Sequence, residues 1–317
     1  MSGNEKIELA IVLDMDRYMI EHLSERYKVH YWPERKEHAR LFASPEGQRI
    51  RAVQTNGSFG LKRHEMEALP ALEIIAVVGA GFEGVDLAAA RERGIVVTYG
   101  GGINASAVAE QAWALLLATV HEVPLRDRGV RDGLWSEIRT SLPNVTGHKL
   151  GIFGLGHIGK AMARRGFGFE MGIGYASRTQ QPDVPYRYFD RLVDLAKWCD
   201  VLMVSAPGGP ATRHAVNAEV LTALGPEGFL VNIARGSIVD SIALADALRE
   251  GRIAGAGLDV FEGEPVRAPA LADAPRVVWS PHIGGHSPDA IRAMVHKVRA
   301  NLDAHFSGQP VLSPVPQ

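Results

Sequence analysis

Lys149-Leu150-Gly151-Ile152-Phe153-Gly154-Leu155-Gly156-His157-Ile158-Gly159 places a short apolar run directly before three glycines and a helical pattern. Leu150–Phe153 reads as a buried strand and Ile158–Gly168 as a helix. A G-x-G-x-x-G turn in that context lets backbone N–H groups approach a pyrophosphate at the positive end of the helix. A dinucleotide is therefore the expected ligand, held by Gly154, Leu155, Gly156, His157, Ile158 and Gly159. The bland alternative is a glycine-rich turn that binds nothing. Gly154 through Lys160 also begin the pattern of a triphosphate-binding loop. That reading fails at Ala161, where the loop needs a hydroxyl for magnesium.

Outward from this turn, strands and helices alternate. Toward the C-terminus the strands are Gly172–Ala176, Val201–Ser205, Phe229–Ile233, Gly255–Asp259 and Val277–Ser280, with helices at Leu192–Trp198 and Ile242–Glu250. Toward the N-terminus, strands Ile7–Leu13, Ile50–Gln54, Ile74–Val78 and Ile95–Thr98 interleave with helices Tyr18–Tyr27 and Val85–Arg93. This alternation predicts α/β architecture with parallel, doubly wound sheets. Gly100-Gly101-Gly102 forms a hinge before Ala105–Val120, a helix apolar around most of its circumference and so buried on several sides. A polar segment containing Trp135 follows, and Asp289–Phe306 closes the chain as one long helix.

The 317 residues fit two domains, and 46% hydrophobic with 22% charged residues is ordinary for a globular protein. A formal charge of −2 gives no basic face for nucleic acid. The one cysteine, Cys199, allows no internal disulfide and suits a reducing, cytoplasmic setting. Met1 to Leu9 lacks the apolar core of a secretory signal. The apolar stretch Ala112–Val120 is well short of the roughly 20 residues a bilayer requires, so no membrane association is expected. No metal site is expected either: His121-Glu122 has no second histidine four residues after His121, and there is no cysteine cluster.

Three strand ends in the C-terminal series carry candidate chemistry, at the carboxyl edge where open α/β sheets bind ligands. Asn232-Ile233-Ala234-Arg235-Gly236 offers a guanidinium able to hold a carboxylate or polarise a carbonyl. Leu258-Asp259-Val260-Phe261-Glu262-Gly263-Glu264-Pro265 carries three acids, and Ser280-Pro281-His282-Ile283-Gly284-Gly285 a histidine followed by glycines. Hydride attack on a 2-keto acid builds negative charge on the carbonyl oxygen, so a proton donor and a fixed cation lower the barrier. A carboxylate on the histidine's other nitrogen would orient it and favour its protonated form. Each residue alone has a structural reading, as an ion pair or a core histidine; the ordered set favours chemistry. Cofactor choice is read in Ser177-Arg178-Thr179, where NAD enzymes place a carboxylate for the ribose 2′-hydroxyl. With two hydroxyls and an arginine there instead, NADP(H) is preferred and NAD(H) remains open.

Taken together, these motifs make the sequence resemble the D-isomer-specific 2-hydroxyacid dehydrogenase family over almost its whole length, in particular its glyoxylate/hydroxypyruvate and hydroxyphenylpyruvate reductase branch. The resemblance implies that Arg235 binds the substrate carboxylate and carbonyl, that Glu264 pairs with His282, and that His282 is the acid/base. It assigns the nicotinamide carboxamide to Asp259 and cofactor contacts to Ala206, Thr212, Ile233, Ala234 and Gly284. It assigns substrate contacts to the amides of Ala80 and Gly81, and Asn56 would help line the pocket. It further implies a Rossmann cofactor domain, residues 100–285, inserted into a flavodoxin-like substrate domain of residues 1–99 and 286–317, in a homodimer where Trp135 reaches the neighbouring active site. An NAD-linked phosphoglycerate-type dehydrogenase is disfavoured by Ser177-Arg178-Thr179. A dinucleotide-sensing corepressor-like protein would share the fold without turnover.

Overall fold

A computed structural model of the chain describes residues 6–266 and 268–316. Met1–Glu5, part of the start read as lacking a secretory signal, lies outside the described residues. Two compact units separate: residues up to Asn104 together with those from Ser287 onward, and Ala105–His286.

The first unit contains strands β1 (Glu8–Ile11), β2 (Lys28–Tyr31), β3 (Ala52–Asn56), β4 (Ile74–Val78) and β5 (Val96–Tyr99). They lie in the order β2-β1-β3-β4-β5, and every pairing is parallel. That is the flavodoxin-like winding. Helices α1 (Arg17–Ser24), α2 (His38–Phe42), α3 (Arg63–Glu67) and α4 (Leu87–Glu92) join the strands, and the final helix Pro288–Phe306 returns to the same unit. β1, β3 and β4 are near-continuous apolar runs because both faces are covered. Phe42, Leu61, Met66 and Leu69 pack on one face, and Met19, Leu23, Val295, Val298 and Leu302 on the other.

The second unit holds β6 (Lys149–Phe153), β7 (Gly172–Ala176), β8 (Arg187–Phe189), β9 (Val201–Val204), β10 (Phe229–Asn232), β11 (Gly255–Leu258) and β12 (Val277–Trp279). Their order is β12-β11-β10-β9-β6-β7-β8, all parallel. The chain winds outward from β6 to β8, then crosses back to β9 and winds the other way. Strand order therefore reverses between β6 and β9, the switch point at whose carboxyl edge a doubly wound sheet opens a crevice. Helices α5 (Ala105–Val120), α6 (Val123–Arg131), α7 (His157–Gly168), α8 (Leu192–Trp198), α9 (Ala218–Leu224) and α10 (Ser241–Arg249) complete it. The all-round apolarity of α5 is met by β10, β11, β12 and α7, against which it packs. A Cβ at Gly257 on β11 would stand 2.9 Å from the Leu115 Cβ, so α5 rests directly on the strand.

Several elements differ from the sequence reading. Val123–Arg131 is a helix within the segment read as polar, α2, α3 and α9 are helices that were not expected, and β2 and β8 are strands where none was expected. Both strands are sheet edges with half-exposed side chains, so they lack the apolar run that marks a buried strand.

Candidate active site

The glycine turn supplies the first test of a cofactor. Gly154 has φ +96° and its absent Cβ would meet the Ala206 nitrogen at 2.5 Å, so the turn passes hard against the end of β9. At Gly159 a Cβ would meet the Gly154 carbonyl oxygen at 2.3 Å, so this glycine lets α7 sit against the strand. Gly156 differs: a Cβ there meets nothing within 4 Å, and no side chain caps the first turn of α7. Open space over a glycine at an uncapped helix N-terminus fits a pyrophosphate. Leu155 and Gly159 are buried, Ile158 is half-buried, and Gly156 and His157 are exposed.

At the end of β7, Arg178 and Thr179 are exposed, while the Ser177 hydroxyl donates to the Thr179 carbonyl at 2.7 Å. Thr212, expected as a cofactor contact, donates its hydroxyl to the Pro207 carbonyl at 2.7 Å and so closes its own loop. Ala206, Ile233 and Ala234 are buried beside the switch point.

Asn232, buried at the end of β10, shapes the turn that presents Arg235. Its amide donates to the Arg235 carbonyl at 3.1 Å, and its Oδ1 accepts from the Ala234 N–H at 3.1 Å. Arg235 in turn donates through Nη1 to the Ala234 carbonyl at 2.6 Å. At the next residue, Gly236, a Cβ would stand 2.1 Å from the Phe261 carbonyl carbon. Only glycine lets the Arg235 turn approach the acid turn this closely.

The three acids of that second turn have different partners. Asp259, 1% exposed, accepts from the Ser280 hydroxyl at 2.5 Å and from the Ile283 and Gly284 N–H groups at 3.1 and 2.9 Å. Its carbonyl accepts from the His282 N–H at 2.8 Å, so Asp259 shapes the backbone that carries the histidine. Glu264 pairs with His282, Nδ1 to Oε1 at 2.8 Å, while its Oε2 is buried without a hydrogen-bond partner among the described residues. His282 has φ +54°, a left-handed backbone uncommon for a residue with a side chain, and the Asp259 hydrogen bonds hold it there. The family resemblance paired Glu264 with His282, but the motifs gave no sign of the work of Asn232 and Ser280, which are quoted motif residues with no obvious chemistry.

In the first unit, Asn56 ends β3 opposite Val78 of β4, and Ala80 and Gly81 follow in the next turn. The Asn56 Oδ1 accepts from the Ser58 and Phe59 N–H groups at 3.1 and 2.7 Å. A Cβ at Gly57 would meet the Gly81 oxygen at 2.3 Å, so the two loops pack backbone against backbone at the carboxyl edge.

Residues 113–284 match the model of the D-isomer-specific 2-hydroxyacid dehydrogenase NAD-binding domain. The chain belongs to this family. Hydroxyphenylpyruvate reductase of Plectranthus scutellarioides is 39% identical over 98% of this chain and 99% of its own. Glyoxylate/hydroxypyruvate reductase A of Arabidopsis thaliana is 39% identical over the same shares. Among solved structures, an NADPH-dependent glyoxylate/hydroxypyruvate reductase from Sinorhizobium meliloti, in complex with NADP and malonate, superposes with a TM-score of 0.90. It is 37% identical and covers 98% of this chain and 97% of that one. As a 2-hydroxyacid dehydrogenase of the reductase branch, the chain takes a nicotinamide dinucleotide. No helix among the described residues is long and apolar enough to cross a membrane.

Proposed function

We propose that this dehydrogenase reduces small 2-keto acids, glyoxylate and hydroxypyruvate first and arylpyruvates at the larger end, to D-2-hydroxy acids with NADPH. The observation that carries the reading is the 2.8 Å contact between His282 Nδ1 and Glu264 Oε1. With Nδ1 donating to the carboxylate, Nε2 is the nitrogen that faces a substrate. The reduced nicotinamide, when bound, supplies the hydride for the carbonyl carbon. His282 Nε2 gives its proton to the carbonyl oxygen, and Glu264 steadies the imidazolium that this role requires. The Arg235 guanidinium offsets the negative charge that grows on that oxygen and grips the substrate carboxylate.

Asp259 is assigned to the nicotinamide carboxamide through its place at the end of β11, beside the Gly284 N–H that it accepts from. NADPH over NADH is supported by Ser177, Arg178 and Thr179, where no carboxylate stands to repel a 2′-phosphate. Asn56, Ala80 and Gly81 are assigned to the substrate at the carboxyl edge of the first sheet. The exposed apolar side chains Val123, Leu125, Val130 and Trp135 support a homodimer. Steady-state rates with both cofactors across a panel of keto acids test the reading. A higher kcat/KM with NADPH is expected, and equal or better use of NADH contradicts the cofactor assignment.

A further inference from the structure

Glu262 is the one acid of the 259–264 turn that the proposed chemistry leaves without a task. It stands two residues before Glu264 and reaches a different histidine. Its Oε1 lies 2.7 Å from His214 Nε2, and its Oε2 accepts from the Ser241 N–H at 3.3 Å. Burial would raise this carboxyl, but the hydrogen bonds from His214 and Ser241 outweigh it and hold Glu262 below the usual carboxylate range. Arg213 adds a cation, its Nη2 3.8 Å from Oε1. On its other side, His214 Nδ1 lies 3.8 Å from the Asp240 carboxylate, which itself caps α10 through the Ile242 and Ala243 N–H groups.

The position of His214 gives the pair its meaning. Its N–H donates to the Ser237 carbonyl at 2.8 Å, in the turn just after Arg235, and it follows Thr212 by two residues. His214 has φ +49°, the same left-handed region as His282 at +54°. Left-handed backbone at a residue with a side chain persists only where surrounding contacts hold it. Here those contacts join three loops at the carboxyl edge of one sheet: the loop after β9 that carries Thr212, the turn after β10 that carries Arg235, and the acid turn after β11 that carries Asp259 and Glu264.

We propose that the Glu262–His214 pair is a positioning clasp, tying these three loops so that Glu264 meets His282 and Arg235 stands beside them in the geometry that hydride transfer requires. Neither residue touches the reacting atoms. The inference rests on the reductase reading, and it adds two positioning residues to it. A merely structural ion pair would lower stability on removal while leaving the chemical step alone, whereas a clasp would change the step itself. Misplacement of a catalytic group by about 1 Å can cost on the order of 10²-fold.

The test is steady-state kinetics of the full chain with glyoxylate and NADPH, for His214→Ala, Glu262→Ala, the pair together, and the conservative His214→Gln and Glu262→Gln. NADPH affinity, thermal midpoint and the deuterium isotope effect with 4-deuterated NADPH are measured alongside. The alanine variants are expected to lose roughly tenfold or more of kcat, with NADPH affinity little changed and a larger isotope effect on kcat. The pH profile of kcat is expected to shift as Glu264 loses register with His282. The double variant should be no worse than either single one, and the glutamine variants should recover part of the loss and remain readable if an alanine variant fails to fold. Unchanged kcat, isotope effect and pH profile, with only a lower thermal midpoint, would overturn the proposal. So would fully additive losses. His282→Gln separates the two layers: if it keeps turnover, or the unaltered chain has none, the reductase reading falls and takes the clasp with it. If only the clasp variants behave as unaltered protein, the clasp alone falls.

Discussion

Lysine at position 235 would keep the positive charge but lose the planar fork that grips a carboxylate with two parallel hydrogen bonds. Charge-assisted hydrogen bonds contribute about 1.5–3 kcal/mol each, so Arg235→Lys is expected to lower kcat/KM for glyoxylate by roughly 10- to 100-fold. Initial-rate kinetics read this directly, and an unaltered kcat/KM would remove Arg235 from the substrate. Side-chain identity marked Arg235 and His282 as candidates, with three acids on the strand end between them, since cation, acid and imidazole at successive strand ends suit one reaction; the choice of Glu264 among those acids came from the family resemblance. Asn232 and Ser280 were not legible as organisers. Their hydroxyl and amide act on neighbouring backbone and on Asp259, and such contacts depend on turn geometry that composition does not carry.

Among elements, the turn from β6 into α7 separates two kinds of glycine. A methyl group at position 159 would press on the Gly154 carbonyl, while one at 156 meets no protein atom. Gly159→Ala is therefore expected to destabilise the second unit by about 1–3 kcal/mol, as overpacked sites do. Gly156→Ala should leave the thermal midpoint unchanged and weaken NADPH binding. Differential scanning calorimetry with a fluorescence titration checks both, and the reverse pattern would move the pyrophosphate elsewhere. Central elements were readable to within two or three residues because doubly covered strands are short apolar runs bounded by turn residues and buried helices are longer apolar stretches. Ile74–Val78, Gly172–Ala176, Leu192–Trp198 and Ala105–Val120 stand where the pattern puts them. The elements that escaped were the edge strands β2 and β8, the five-residue helices α2 and α3, and the arginine-rich α6, whose buried contribution is Gly129 alone. In α9, Val220, Leu221 and Leu224 behind an Asn217 cap did carry a helical signal, but a single short turn of it is hard to separate from a strand.

Across the whole molecule, stability in acid should depend on two buried carboxylates of the first unit. Glu8, 7% exposed, lies 2.8 Å from both Arg49 Nε and His30 Nε2 and 3.2 Å from Lys28 Nζ. Burial would raise its carboxyl, but these partners outweigh that and bring it from 4.5 down to about 2. Glu65 is likewise held at about 2, its burial outweighed by His38, the Lys62 N–H and Arg35. Since both titrate lower folded than unfolded, their stabilisation is fully present above pH 4.5 and lost as the pH falls toward 2. Glu8→Gln should flatten that acid limb when unfolding is followed by near-ultraviolet circular dichroism, and an unchanged acid midpoint would contradict it. The winding of both sheets was legible from alternating strands and helices. The order of the strands was not, because an apolar run marks a strand as buried and does not say which neighbour it takes.

The central claim joins the reaction to one residue, and the most direct measurement is NADPH oxidation with glyoxylate and hydroxypyruvate by the unaltered chain and by His282→Gln. Turnover by the unaltered chain is expected, with kcat lower by a factor on the order of 10²–10⁴ once the proton donor is lost. A chain that binds NADPH without oxidising it, or a His282→Gln variant with near-normal turnover, would contradict the account.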